Sequence, residues 1–185
     1  MPEPDIHADV HDGPPRGLII AAAGVALAAV IVLLTLAAIR QKDPAPRPVA
    51  IAGAPAPAAD SPQCAALLAS LPDQLGDYRR AVAAEPVPAG AAAWQPSDPT
   101  ADPVILRCGL DRPGGFVVGA PLQVVDEVSW FEVKGDGAST WFAVDRGIYV
   151  ALTLPQGSGP SPIQVMSRTI AQVMPAQPLS PGQPS

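Results

Sequence analysis

Gly17 to Ile39 reads GLIIAAAGVALAAVIVLLTLAAI, a run without a charge in which Thr35 is the only polar side chain. Rising about 1.5 Å per residue as a helix, the run spans about 35 Å, enough to cross a hydrocarbon core of about 30 Å with some tilt. A helix apolar on every face does not suit the edge of a soluble core, so a membrane-spanning helix is expected over residues 17–39. A cleaved signal peptide has a shorter apolar region, a basic lead and a small-residue exit. Here the short tail of residues 1–16 is acidic, with Glu3, Asp5, Asp9 and Asp12 against Arg16, and Arg40-Gln41-Lys42 follows the run. An uncleaved anchor is the expectation.

The signals for orientation conflict. Arg16 precedes the span, whereas Arg40, Lys42 and Arg47 follow it, and the positive-inside rule taken alone puts the trailing side in the cytoplasm. The Pro/Ala-rich composition beyond the span, the two cysteines and the length of the following chain favour the reverse. The expected arrangement is a single-pass protein of the cell membrane with its C-terminal domain extracytoplasmic.

Asp43 to Asp60, DPAPRPVAIAGAPAPAAD, reads as an extended linker rich in proline and alanine,. At about 3.1 Å per residue in polyproline geometry it would reach some 55 Å. Pro175 to Ser185 has the same character and is expected to form a disordered tail,. Between them, residues 61–174 form one candidate domain.

That domain opens with Ser61-Pro62, an N-cap followed by proline at the first helical position. Cys64, Leu67, Leu68 and Leu71 then share one helical stripe,. After Pro72, DQLGDYRR is expected to add a short helical turn. Ser161-Pro162-Ile163-Gln164 has capping-box spacing and starts a closing helix that ends at Pro175,. The middle is β-like. Strands are expected over Val104–Leu110, Leu122–Val133, Thr140–Arg146 and Ile148–Leu154, with a turn at Gly135-Asp136-Gly137, and the Pro-rich region 83–102 is expected to be a loop around Trp94,. The expected class is α+β, a small antiparallel sheet with N- and C-terminal helices packed on one face, preceded by the transmembrane helix and linker.

The domain contains no histidine; His7 and His11 both precede the span. Ser-His and Cys-His nucleophile systems are therefore excluded from it, as is a histidine-ligated zinc site. No metal or cofactor is expected. A reactive Cys108 thiolate would need a base or cationic neighbourhood, and Arg107 beside it faces the other way on a strand. A disulfide from Cys64 to Cys108 is the expectation, while separate buried thiols and a catalytic thiol stay open as alternatives. Asp126 and Glu127 are adjacent and would face opposite ways on a strand; Asp111, Glu132 and Asp145 are the other acids that could meet them in space. From residue 60 to 174 the chain carries twelve acids and seven bases, a net charge of −5, which argues against nucleic acid as a partner. Arginine outnumbers lysine there, which ordinary surface ion pairing explains first and carboxylate or phosphate recognition second. Arg107, Arg112 and Trp94 are the candidate ligand contacts.

CAALLASLPDQL, the isolated Trp94, PVILRCGLDRP, VSWF, TWFAVDRGIYVALTLP and SRTIAQVMP follow one another in an order that resembles an actinobacterial family of single-pass, membrane-anchored proteins. That family is classed as a domain of unknown function. The resemblance runs from Cys64 to Met174 with the anchor and linker, and its most specific pieces are L-R-C-G and D-R-x-x-Y-V. In the family the tryptophan is often followed by Gly-x-Pro, whereas here Trp94-Gln95-Pro96 stands. The resemblance implies an extracytoplasmic domain with paired cysteines and assigns no catalytic residue. A non-enzymatic binding or accessory domain of the cell envelope, meeting an envelope protein or ligand, is the expected function. A carboxylate-dependent hydrolase of envelope glycans and a scaffold subunit of an envelope complex are the alternatives.

Overall fold

Alternating residues of the chain's middle face opposite sides of one sheet in the computed structural model, which describes residues 16–40, 47–98 and 100–184. The acidic lead with His7 and His11, Lys42 and linker residues 43–46 lie outside the described residues. The chain divides into two units, residues 1–45 and residues 46–185.

In the first unit the apolar run forms helix α1, Arg16–Arg40. Its stretch Ile19–Leu36 has a mean hydropathy of 2.8 and no buried residue, so the helix is long and apolar enough to cross a membrane,. Ile20, Val25 and Leu33 are all exposed although they point in different directions around the axis.

The second unit contains α2 (Pro62–Ala69), β1 (Gln74–Leu75), β2 (Tyr78–Ala81), β3 (Ala91–Pro96), β4 (Val104–Leu110), β5 (Gln123–Val125), β6 (Val128–Lys134), β7 (Ala138–Ala143), β8 (Tyr149–Pro155) and α3 (Ser161–Val173). The strands form an eight-stranded sheet in the order β1-β2-β3-β4-β8-β7-β6-β5, with every neighbouring pair antiparallel. Val104, Leu106 and Cys108 of β4 and Val150, Leu152 and Leu154 of β8 face one side, as period-two alternation requires. There they share a single core with Cys64 and Leu67 of α2 and Ile163, Met166 and Ile170 of α3. The α+β class and the helices on one face are as the sequence predicts.

The other face is covered by chain that the sequence assigns to linkers. Val49 and Ile51 pack on Ala93 and Ile105. The Val49 N–H donates to the Val82 carbonyl, and the Ala84 N–H to that of Val49, each at 2.8 Å. Residues 47–60 are therefore a strap on the sheet, and the long free spacer is not formed over them. On the other half of this face, Phe116 meets Phe131 at 5.8 Å between ring centroids. The C-terminal tail is likewise docked: the Gly182 N–H donates to Phe116 O at 2.8 Å, and Gln177 N–H to Asp145 O at 2.8 Å. Proline's preference for extended backbone suits both segments to lying along a sheet, which composition alone reads as disorder.

Four local expectations also change. DQLGDYRR forms the β1–β2 hairpin, because Gly76 takes φ +61° and Leu75 and Tyr78 drive into the core. Trp94 lies on β3 and not in a loop; alanines on both faces hide that strand's alternation. Leu122–Val133 is two strands, not one. Asp126 and Glu127 have φ of 43° and 67°, the left-handed pair of a tight hairpin turn usually written with glycine. At α2 the expected cap is present, with Ser61 Oγ accepting from Cys64 N–H at 3.2 Å. At α3 it is not: Pro160 is the N-cap and no side chain caps the helix.

Candidate functional site

Cys64 and Cys108, both fully buried, form a disulfide with Cα atoms 5.7 Å apart. The bridge fixes α2 to the middle of the sheet and removes Cys108 as a nucleophile. Leu106 and Cys108 enter the helix-side core, while Arg107 points the other way and its Nη2 donates to the Ala52 carbonyl at 3.0 Å. Gly109, with φ +87°, is the extra residue between the pairs Cys108–Val150 and Leu110–Tyr149. Burial holds the Arg107 guanidinium below the usual arginine range,.

The three candidate ligand contacts do not form one site. Arg107 binds the strap. Arg112 is laid along the C-terminal segment, so close that a Cβ on Gly182 would stand 3.2 Å from its Nη2. Beside it Tyr149 donates to Ser180 O at 3.3 Å, and burial raises the phenol's pKa against the opposing pull of Arg112. Trp94 is fully buried, its indole N–H donating to Pro72 O at 2.9 Å and Arg80 Cζ lying 4.7 Å from its ring centroid. No face of Trp94 is left for a ligand.

The acids do not converge either. Asp126 accepts from Arg168 at 2.9 Å on the surface. Asp145 accepts from the Ser129 N–H at 2.8 Å, and its Oδ1 stands 3.8 Å from Arg146 Nη1. Arg146 in turn donates to the Glu127 carbonyl at 2.6 Å. Among the described residues no group of three or more His, Cys, Asp or Glu is placed to hold a metal ion.

What the structure adds is a groove of about 370 Å³ on the helix-bearing face. It lies between β5, β6 and β7, the end of β8 and the first turn of α3. Gln123, Glu132, Ser139, Trp141, Gln156, Ser158 and Gln164 supply its polar and aromatic lining, and Leu154 and Ile163 are among its apolar walls. Glu132 is the only charged residue of that lining. Pairing in the β6–β7 hairpin sets Glu132 directly opposite Trp141, and Glu132 Oε1 accepts from Ser139 Oγ at 2.7 Å. The signal for this site was present in the sequence: a hairpin closed at Gly135-Asp136-Gly137 brings Glu132 across from Trp141. Which side of the sheet stayed uncovered was not readable.

A family model described as "Protein of unknown function (DUF3515)" matches residues 23–179. No curated protein and no solved structure matches the chain.

Proposed function

The chain belongs to this family of proteins of unknown function, and we propose that it is a membrane-anchored, extracytoplasmic binding or accessory domain of the cell envelope, not an enzyme, with the groove at Trp141 as its ligand seat. The observation that carries the location is the buried Cys64–Cys108 bridge in a domain that follows an apolar helix of membrane-spanning length. Structural disulfides persist in oxidising compartments, so the bridge supports placing the domain outside the cytoplasm against the Lys/Arg count.

The groove supports binding over hydrolysis. Paired-carboxylate hydrolysis of a glycan needs two acids about 5–10 Å apart across the substrate. The lining contributes Glu132 alone, and Asp126 and Asp145 are engaged by Arg168 and by Ser129 and Arg146. An envelope protein or ligand is the proposed partner.

A cysteine introduced at Val82, which is 68% exposed, tests the topology in intact cells. Labelling by a membrane-impermeant maleimide without permeabilisation is the expected result. Labelling only after permeabilisation would overturn the location.

A further inference from the structure

The three tryptophans have different surroundings, and the difference points to a ligand class. Trp94 and Trp130 are fully buried with their indole N–H groups bonded, to Pro72 O and Ser167 Oγ respectively, each at 2.9 Å. Trp141 is only partly buried, lines the groove, and its indole N–H has no hydrogen-bond partner among the described residues. Two tryptophans are wholly enclosed; the third packs against the same core and also lines the groove.

We infer that this groove seats a neutral sugar ring of a glycan, with Trp141 as the stacking platform and Glu132 as the hydroxyl acceptor, an inference that rests on the groove being the ligand seat. Three features of the lining choose among ligand classes. First, no cationic side chain is among its lining residues, the nearest on the hairpin being Lys134, opposite Ser139 at the exposed end, which disfavours a phosphate or carboxylate,. Second, Gln123, Gln156 and Gln164 are exposed along it, and an acyl chain laid over their amides would bury them without partners, which is costly. Third, those amides and the Trp141 N–H need acceptors as well as donors. An ammonium or guanidinium group could pair with Glu132 and the indole face but donates only, leaving the amide NH₂ groups without a match.

A sugar hydroxyl both donates and accepts, which is what this mixture requires. Ser139 fixes one oxygen of Glu132, so the carboxylate is held in place to accept from hydroxyls without reordering. The C–H face of a pyranose supplies the apolar surface for the indole and for the Leu154 and Ile163 walls. The volume falls at the lower end of the range for small-molecule sites, about 300–1,000 Å³.

The test is isothermal titration calorimetry on the full chain in micelles whose headgroups are not sugars. The probes are cellotetraose, chitotetraose, mannotetraose and, as a cationic comparison, tetralysine. At least one tetrasaccharide is expected to bind, with affinity reduced about tenfold or more by Glu132→Gln, as for loss of a hydrogen bond to a charged group. Trp141→Ala is expected to abolish the heat, Trp141→Phe to retain part of it, and Val118→Ser, outside the groove, to change nothing. Binding that survives both Glu132→Gln and Trp141→Ala would overturn the inference. Binding of tetralysine alone, lost in Glu132→Gln, would overturn the sugar while leaving the seat in place. No binding of any probe would remove both.

Discussion

Asp145 and Arg146 are consecutive charges buried to 9% and 4% exposure. Taking both out of water is unfavourable unless their hydrogen bonds offset the loss of hydration. Here the bonds reach three places: the start of β6 through Ser129, the turn before it through Glu127, and the tail through the Asp145 carbonyl. Arg146 Nε and Asp145 Oδ1 have no hydrogen-bond partner among the described residues, so each charge depends heavily on the other. Arg146→Met is expected to lower stability by about 3–5 kcal/mol, the usual result of stranding one member of a buried pair. Adding Asp145→Asn should restore about 1 kcal/mol or more, because the amide oxygen still accepts from Ser129 and no charge is left alone. Urea unfolding of the two single variants and the double measures this. A coupling near zero would show that the charges act separately.

Gly109 shows why the outer layer was hidden in the sequence. Its positive φ makes the bulge in β4, and Ala58 and Ala59 of the strap press against its α-carbon so closely that a Cβ there would overlap their backbone. The Ala58 N–H donates to the Gly109 carbonyl at 3.0 Å. Gly119 has a similar φ of +85° but open space around the same position, so it separates conformational cost from contact. Gly119→Ala is expected to lower stability by about 1–2 kcal/mol, the left-handed penalty alone. Gly109→Ala should cost more and should also speed hydrogen exchange at the Val49, Ala58 and Ala84 amides. Unchanged exchange at those amides would mean the strap does not depend on Gly109. The strands of the middle were legible because β4 and β8 are runs of β-branched and apolar residues whose large side chains, Val104, Leu106 and Cys108 and Val150, Leu152 and Leu154, recur at every second position, and α2 because its cap and stripe agree. The straps were not, because their adhesion comes from a few buried side chains and backbone bonds to distant residues, and neither leaves a period. The hairpin at Asp126-Glu127 was missed for a related reason: acids there occupy a conformation normally signalled by glycine. The groove's pairing was legible from the glycine turn, but its openness depends on where α3 begins.

Residues 47–60 are held on the sheet by Val49, Ile51 and the backbone bonds of Val49, Ala58 and Ala84. Most of the Pro/Ala-rich segment is thus part of the domain, whose integrity falls on its own core and its covalent bridge. The bridge joins residues 44 apart, and closing a loop of that size is worth about 4 kcal/mol on the chain-entropy account. Domains are stable by about 5–15 kcal/mol in total, so this one contact separates a durable fold from a marginal one. The dependence ties architecture to compartment, since a reducing cytosol would remove it. Replacing both cysteines by alanine should therefore lower the unfolding free energy by about 4 kcal/mol, read by urea titration of the full chain in micelles with tryptophan emission as the probe. All three tryptophans lie in the sheet, so the emission reports the domain and not the apolar helix. A loss below about 1 kcal/mol would show that apolar packing alone holds α2 against β4. The bridge would then lend no support to an extracytoplasmic placement.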